Sequence, residues 1–180
     1  MKYFKKELWL GFNSAGAYQN VDDEWMKNLN EYTIQLKNLE NKLSKRNFNF
    51  FTKESLHDGQ IISINIKDIM AERIKQRKPH KNIYNPLTIE IEVINYEEDK
   101  IYFLKYASIR KMKIDSPSET PLFWRDGSGL EDWGYDELTM PDEEYFRHEI
   151  LLSSGSELLI EFKRFSYKVE KFKLEKPLDI

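Results

Sequence analysis

The chain has 180 residues and a formal net charge of −3 at pH 7, and 40% of its residues are hydrophobic, 14% aromatic and 33% charged. This length and apolar content predict one folded domain over residues 1–180 and exclude an intrinsically disordered chain. The absence of cysteine excludes disulfide frameworks, thiolate zinc sites, iron–sulfur clusters and cysteine nucleophiles. Without an apolar run of transmembrane or signal-peptide length, the expected location is the cytoplasm.

The first predicted element is a long helix from Asp22 to Arg46. Its apolar residues recur every three or four positions on one face, at Trp25, Leu29, Tyr32, Leu36, Leu39 and Leu43. Acidic residues crowd the start of this stretch and basic residues crowd its end, which complements the helix dipole. The spacing also fits a coiled-coil seam, but about three heptads with tryptophan and tyrosine in the seam favour a helix packed on a sheet.

After Asn47 the apolar pattern changes from a helical period to alternation, which predicts strands across residues 60–172. Three alternating sets are clearest: Ile62, Ile64 and Ile66; Leu87, Ile89, Ile91 and Val93; and Phe146, His148, Ile150 and Leu152. The segment Ser153–Ser156 predicts a hairpin turn in which Gly155 supplies a positive φ. A one-residue shift of the apolar phase between Phe162 and Phe165 predicts a bulge rather than a new strand.

The predicted strands are joined by short turns, with no helices predicted between them. This organisation favours an antiparallel meander over a parallel sheet. The predicted fold is therefore α+β, an antiparallel meander of about five to seven strands packed against one long N-terminal helix. The two long connections, Ile69–Pro86 and Asp115–Asp132, are the expected places for functional residues on such a scaffold.

Histidines and their neighbours are the first candidates for chemistry. His57 and Asp58 precede the first strand, and a histidine beside an aspartate can act as an acid–base pair or supply metal ligands. The competing interpretation, which the sequence favours, is that Asp58 and Gly59 form the turn into the strand. His148 falls in phase with the apolar residues of its strand, which predicts a core histidine with one satisfied nitrogen. His80 is expected to be a solvated loop residue.

Familiar catalytic and cofactor motifs are absent from the sequence. It contains no Walker A loop, dinucleotide-binding glycine motif, nucleophile elbow or H-E-x-x-H zinc motif. The acidic run Asp126–Asp132 departs from the EF-hand pattern, because Glu131 stands where the required glycine should be. The sequence therefore predicts no metal and no cofactor, and it favours a protein that is not an enzyme. A metal-dependent or hydrolytic enzyme using His57 and Asp58 is the alternative.

The stretch Leu122–Glu137 is the most unusual part of the sequence. It combines tryptophan and tyrosine with carboxylates and glycines, a composition typical of interface hot spots. The candidate protein-binding residues are Trp124, Asp126, Glu131, Asp132, Trp133, Tyr135, Asp136 and Glu137. The alternative interpretation is that both tryptophans close the end of the sheet while the glycines and aspartates form turns.

Charge is distributed unevenly along the chain. Residues 42–81 include ten basic and four acidic residues, whereas residues 115–149 include eleven acidic and two basic ones. The two segments are either solvated faces of one domain, or the acidic segment selects a basic protein partner by electrostatic steering. The basic stretch Arg73–Lys81 lacks interleaved aromatic residues for base stacking, so a solvated loop and no specific nucleic-acid binding are expected. No membrane partner is expected either.

Three short motifs resemble those of a known family. They are the opening Met1–Trp9, the turn Leu56–Gly59 before an isoleucine-rich strand, and the hairpin Tyr145–Leu158. In these motifs the chain resembles the uncharacterised bacterial family known as domain of unknown function 4085. The resemblance implies a bacterial, cytoplasmic protein without an established activity, so it supplies no catalytic residue. Similar Leu-His-Asp turns before a sheet occur among toxin-immunity proteins, which favours a binding role such as that of an immunity protein.

Overall fold

The structure is a computed structural model and describes residues 1–13, 21–78, 85–115 and 132–172. Its helices are α1 Lys6–Asn13, α2 Val21–Asn38, α3 Lys45–Lys53 and α4 Ile69–Lys75. Its strands are β1 Gln60–Asp68, β2 Leu87–Ile94, β3 Lys100–Ala107, β4 Lys111–Asp115, β5 Trp133–Thr139, β6 Phe146–Leu152, β7 Glu157–Phe162 and β8 Arg164–Lys171. Apart from α4, the helices precede the strands, which confirms the α+β class predicted from the change of apolar period.

The strands form two sheets rather than one meander. The first sheet has the order β1-β2-β3-β8 and the second the order β4-β7-β6-β5. All pairs are antiparallel, as predicted. The described residues thus contain eight strands where about five to seven were expected. Gly155 has a φ of 77° in the β6–β7 turn, which confirms its predicted role.

The chain passes from one sheet to the other at Lys163. Strand β7 ends at Phe162 in the second sheet, and β8 begins at Arg164 in the first. Phe162 and Phe165 are both buried in the hydrophobic core, although their sequence positions differ by an odd number. The predicted bulge is therefore wrong, because the phase shift marks a change of sheet. A shift of this kind looks the same in the sequence whether the strand bulges or ends.

The predicted long helix is divided into two. Helix α2 ends at Asn38, and Ser44 caps α3 by accepting a hydrogen bond from the Asn47 backbone N–H at 3.2 Å. Between the helices the chain turns, but Leu39 and Leu43 still pack on the core. The spacing of apolar residues therefore identifies which side chains are buried and does not reveal the break.

Strand β1 departs from the predicted alternation. Its register shifts between Ile61 and Ser63, and the side chains of Ile62 and Ile66 are exposed. Strand β1 lies at the edge of the first sheet.

The basic stretch expected to be a solvated loop begins in a helix. Residues 69–75 form α4, capped by Asp68 and placed between β1 and β2, where no helix was expected. The strands on either side of α4 still pair antiparallel. His80, also expected to be a solvated loop residue, lies outside the described residues. Among the helices that the structure describes, none is long and apolar enough to cross a membrane.

Candidate functional site

Backbone hydrogen bonds join the two candidate segments of the sequence. The Asp58 N–H donates to the Trp133 carbonyl at 2.8 Å, and the Trp133 N–H donates to the Gly59 carbonyl at 2.7 Å. Gln60 and Asp132 form an isolated β-bridge beside them. The Leu56–Gly59 turn and the start of β5 are therefore neighbours, although more than seventy residues separate them in the chain.

The backbone of this turn restricts which residues it accepts. Asp58 has a φ of 60°, a left-handed conformation that aspartate tolerates better than most residues. A Cβ atom on Gly59 would lie 2.7 Å from the Ile94 carbonyl oxygen and 2.8 Å from the Leu56 carbonyl oxygen. Glycine is required at position 59 because both neighbours are backbone atoms that cannot rotate away.

We expect Gly59→Ala to lower the free energy of unfolding by about 2 kcal/mol, since the added methyl group must displace backbone. The exposed neighbour Gln60 provides the matched control, and Gln60→Ala should change stability by less than about 0.5 kcal/mol. Urea unfolding at neutral pH measures both values. Equal stabilities for the two variants would contradict the close approach at Gly59.

The His57 and Asp58 side chains form a pair on the outside of the turn. His57 Nδ1 lies 3.0 Å from Asp58 Oδ2, and the two side chains are 41% and 56% exposed. The His57 ring also packs edge-on against Tyr135, with ring centroids 4.8 Å apart. The structure thus contains the predicted turn and the predicted His–Asp pair together, and it places both beside β5.

A groove lies between the helices and β5, and it has a volume of about 690 Å³. We name it the α2–α3–β5 groove. Aromatic and aliphatic side chains dominate its wall, and His57 and Asp136 both contribute to it. The residues that line it are Phe4, Leu29, Tyr32, Thr33, Leu36, Lys37, Glu40, Phe48, Phe50, Phe51, Thr52, Glu54, Ser55, Leu56, His57, Trp133, Gly134, Tyr135 and Asp136. A groove of this size and lining is typical of ligand- and peptide-binding sites.

Beneath the groove, a chain of hydrogen bonds crosses the core. Trp133 Nε1 donates to Asp136 Oδ1 at 3.0 Å, and His148 Nε2 lies 3.0 Å from Asp136 Oδ2. His148 Nδ1 lies 2.8 Å from the Tyr106 hydroxyl. Because a carboxylate only accepts, Nε2 donates to Asp136, while Nδ1 and the Tyr106 hydroxyl share the second hydrogen bond. His148 is a core histidine as predicted, but both of its nitrogens are satisfied rather than one.

This network sets the protonation of two of its members. Burial acts to raise the pKa of Asp136, but the hydrogen bond and charge of His148 and the Trp133 N–H outweigh it, so the pKa of Asp136 is lowered. Burial raises the pKa of the Tyr106 hydroxyl well above its ordinary value, with a further contribution from Asp136. The Tyr106 hydroxyl therefore keeps its proton at neutral pH and stays hydrogen-bonded to His148.

Several residues predicted to bind a protein belong to the interior. Glu137 is fully buried, so the prediction that it contacts a partner is wrong. Trp133 is 1% exposed and belongs mainly to the core, although it also borders the α2–α3–β5 groove. Asp136 is held by Trp133 and His148. Strand β5 buries Trp133, Glu137 and Leu138 within an acidic, aromatic segment, which composition alone cannot reveal.

The other predicted binding residues have different positions. Tyr135 is partly buried and lines the α2–α3–β5 groove, where its ring stacks on Phe4 with centroids 5.5 Å apart. The Asp132 backbone N–H donates to Ser153 Oγ at 2.9 Å beside the β6–β7 turn. Trp124, Asp126 and Glu131 lie outside the described residues.

The Glu137 carboxylate holds the first residues of the chain. It accepts hydrogen bonds from the backbone N–H groups of Lys2, Tyr3 and Phe4 at 2.5, 2.8 and 3.3 Å. Phe4 is thereby placed against Tyr135 in the groove wall. Glu137 is thus a structural residue that positions one side of the groove.

In the part of the chain that the structure describes, no three histidine, aspartate or glutamate side chains are grouped to hold a metal ion. The helical wall of the groove is the part that sequence reasoning missed. Phe48, Phe50 and Phe51 on α3 were available as a signal, since three aromatic residues within four positions are unusual at a helix surface.

Comparison with known proteins identifies no family for the chain. No family model matches it, and no curated protein matches it. A solved structure described as the crystal structure of an uncharacterized protein from Neisseria gonorrhoeae is similar, with a TM-score of 0.44 and 15% sequence identity. That similarity covers 63% of this chain and 93% of the other. At this level, nothing about function is carried from one protein to the other.

Proposed function

We propose that the chain is a non-enzymatic protein-binding module and that the α2–α3–β5 groove receives a basic segment of its partner. The observation that carries this proposal is the groove itself, to which the N-terminal segment, α2, α3, the Leu56–Gly59 turn and β5 all contribute. An aromatic wall with charged groups around it is what interface hot spots require, because aromatic rings provide a large contact area at low entropic cost.

The charges of the groove favour a basic occupant. Its lining includes the carboxylates of Glu40, Glu54 and Asp136 and the ammonium group of Lys37. Glu54 accepts a hydrogen bond from the Tyr102 hydroxyl at 2.8 Å, and this neutral donor does not offset its negative charge. An arginine or lysine of the partner would lay its stem on the rings and direct its charge to these carboxylates.

Charge reversal at the groove tests the proposal. We expect Glu40→Lys to weaken binding of a partner isolated from bacterial lysate by about tenfold or more, because two like charges would then meet. Glu31→Lys is the matched control, since Glu31 is exposed on α2 and is absent from the residues that line the groove. The affinity of the unmodified chain should also fall as salt is raised.

Two outcomes would contradict this function. One is an equal loss of affinity in Glu40→Lys and Glu31→Lys, and the other is a partner whose contact segment is acidic. Circular dichroism and thermal unfolding of both variants show that any difference comes from the surface and not from misfolding.

The resemblance to the uncharacterised bacterial family supports a proposed location and mode of action for the binding module. It favours a bacterial, cytoplasmic protein that acts in the manner of an immunity protein. A basic partner, such as a toxin domain, suits the carboxylates around the groove.

A hydrolytic or metal-dependent enzyme is the second candidate, and the distance of 3.0 Å between His57 Nδ1 and Asp58 Oδ2 is the observation that favours it. A hydrolase screen and elemental analysis of the purified chain and of His57→Ala separate the two functions. An activity or a bound metal that His57→Ala loses would favour the enzyme. Unchanged partner binding without any activity would favour the binding module.

A further inference from the structure

A second cavity lies on the other side of α3, between the start of that helix and strands of both sheets. Its volume is about 630 Å³, which falls in the range of small-molecule sites. Residues of α3, α4 and strands β2, β3, β6, β7 and β8 contribute to its lining. We name it the basic cavity. Among the described residues, it shares no lining residue with the α2–α3–β5 groove.

The ionisable groups of the basic cavity all carry one sign. Lys42, Lys105, Lys163 and Arg164 line it, and none of the described lining residues is acidic. Nearby carboxylates neutralise these four cations only in part. Lys163 pairs with Glu144 at 2.7 Å, but the Arg164 guanidinium donates to the neutral Ser108 hydroxyl at 3.2 Å. The cavity therefore carries a positive potential.

The salt bridge of Lys105 neutralises its positive charge only in part. Glu90 pairs with Lys105 at 2.6 Å and with Lys67 at 2.5 Å. One carboxylate thus serves two ammonium groups, and the three side chains together retain a positive charge. Both hydrogen bonds lower the pKa of Glu90, which keeps the carboxylate ionised at neutral pH.

The floor of the basic cavity is apolar, in contrast with its rim. Phe146, Phe162 and Phe165 belong to the buried core and reach the cavity from β6, β7 and β8. Leu43 and Ile69 add aliphatic surface from outside the sheets. A free inorganic ion would use the rim without covering this floor, and a neutral apolar molecule would leave the cations without a partner.

We propose that the basic cavity binds a small organic anion, with a carboxylate or phosphate head at the lysine and arginine rim and an aromatic or alkyl body on the phenylalanine floor. Rim and floor then contribute together, since charge attraction holds the head and burial of apolar surface holds the body. This site is separate from the proposed protein-binding groove, so failure of one proposal leaves the other intact.

Calorimetric titration of the full chain with four probes tests this site. Hexyl phosphate and hexanoate each carry a head and a body, whereas hexanol lacks the charge and inorganic phosphate lacks the body. We expect at least one of the first two probes to bind about tenfold more tightly than either of the last two. The comparison of hexyl phosphate with hexanoate decides which head the site prefers. No binding of the first two, or equal affinity for hexanol or inorganic phosphate, would overturn the proposal.

Two substitutions on β8 locate the binding. Arg164→Gln should weaken the preferred probe about fivefold and reduce the dependence of its affinity on salt, because one rim charge is lost. Lys168→Gln is the matched control, since Lys168 lies on the same strand but does not line the basic cavity. Equal weakening in both variants would show non-specific attraction and would overturn the assignment. Thermal unfolding of the two variants reports on their folding.

Discussion

Replacement of Glu137 by glutamine is expected to lower the free energy of unfolding by about 3 kcal/mol. The carboxylate is fully buried and accepts from the backbone N–H groups of Lys2, Tyr3 and Phe4. Glutamine has the same shape but only one accepting oxygen, and its NH₂ group would face donors instead of acceptors. At least one buried backbone N–H would then lack a partner, and the charge-assisted bonds would be lost.

Urea unfolding of Glu137→Gln beside Glu143→Gln provides the measurement. Glu143 is exposed in the turn before β6, so the same change there should cost less than about 0.5 kcal/mol. Amide hydrogen exchange at residues 2–4 should also accelerate in the Glu137 variant, because these N–H groups lose their acceptor. Equal stabilities for the two variants would show that Glu137 does not hold this segment.

The second large effect is expected at His148. We predict that His148→Leu lowers the free energy of unfolding at pH 7 by about 3 kcal/mol, because it leaves the Tyr106 hydroxyl and one Asp136 oxygen without their partner in the core. His57→Leu makes the same chemical change at an exposed position and should cost less than about 1 kcal/mol. A His148 variant as stable as the His57 variant would contradict the network.

The effect at His148 should depend on pH through Asp136. The pKa of Asp136 in the folded chain lies below its ordinary value, so the ionised group stabilises the fold above about pH 4 and this contribution fades as the pH falls further. Without His148, burial dominates and raises the pKa of Asp136. As the pH falls, Asp136 then binds a proton at a higher pH in the folded variant than in the unfolded chain. As the pH falls from 7 towards 4, the His148→Leu variant therefore gains stability relative to the unmodified chain. The difference between their free energies of unfolding should narrow. A constant difference over this range would exclude Asp136 as the cause.

Periodicity predicted the secondary structure well wherever one face of an element is buried. Ile89, Ile91 and Val93 alternate in the sequence and are all in the core, and the 3–4 spacing of α2 identifies Trp25 and Tyr32 as buried. The prediction failed where the chain changes direction without changing its apolar period. The break before Ser44 is of this kind, whereas at Lys163 the apolar phase does shift, but a bulge would cause the same shift.

The sequence predicted the two parts of the candidate site separately. His57 and Asp58, and the segment that includes Trp133 and Tyr135, were chosen for their residue types, and the sequence offers no reason to place them together. They meet because the Leu56–Gly59 turn and the start of β5 bond through their backbones, and backbone bonding leaves no signature in side-chain composition.

Apolar period and the short turns between strands determined the α+β class, the antiparallel pairing and many of the core residues, because local spacing shows which face of an element is apolar. Only the tertiary structure decided which charged and aromatic residues face solvent. Glu137 and Trp133 are acidic and aromatic residues of an apparent surface segment, yet the fold buries both. The reason is that a polar side chain becomes stable in the core when partners from distant segments satisfy it, and those partners are brought within reach only by folding.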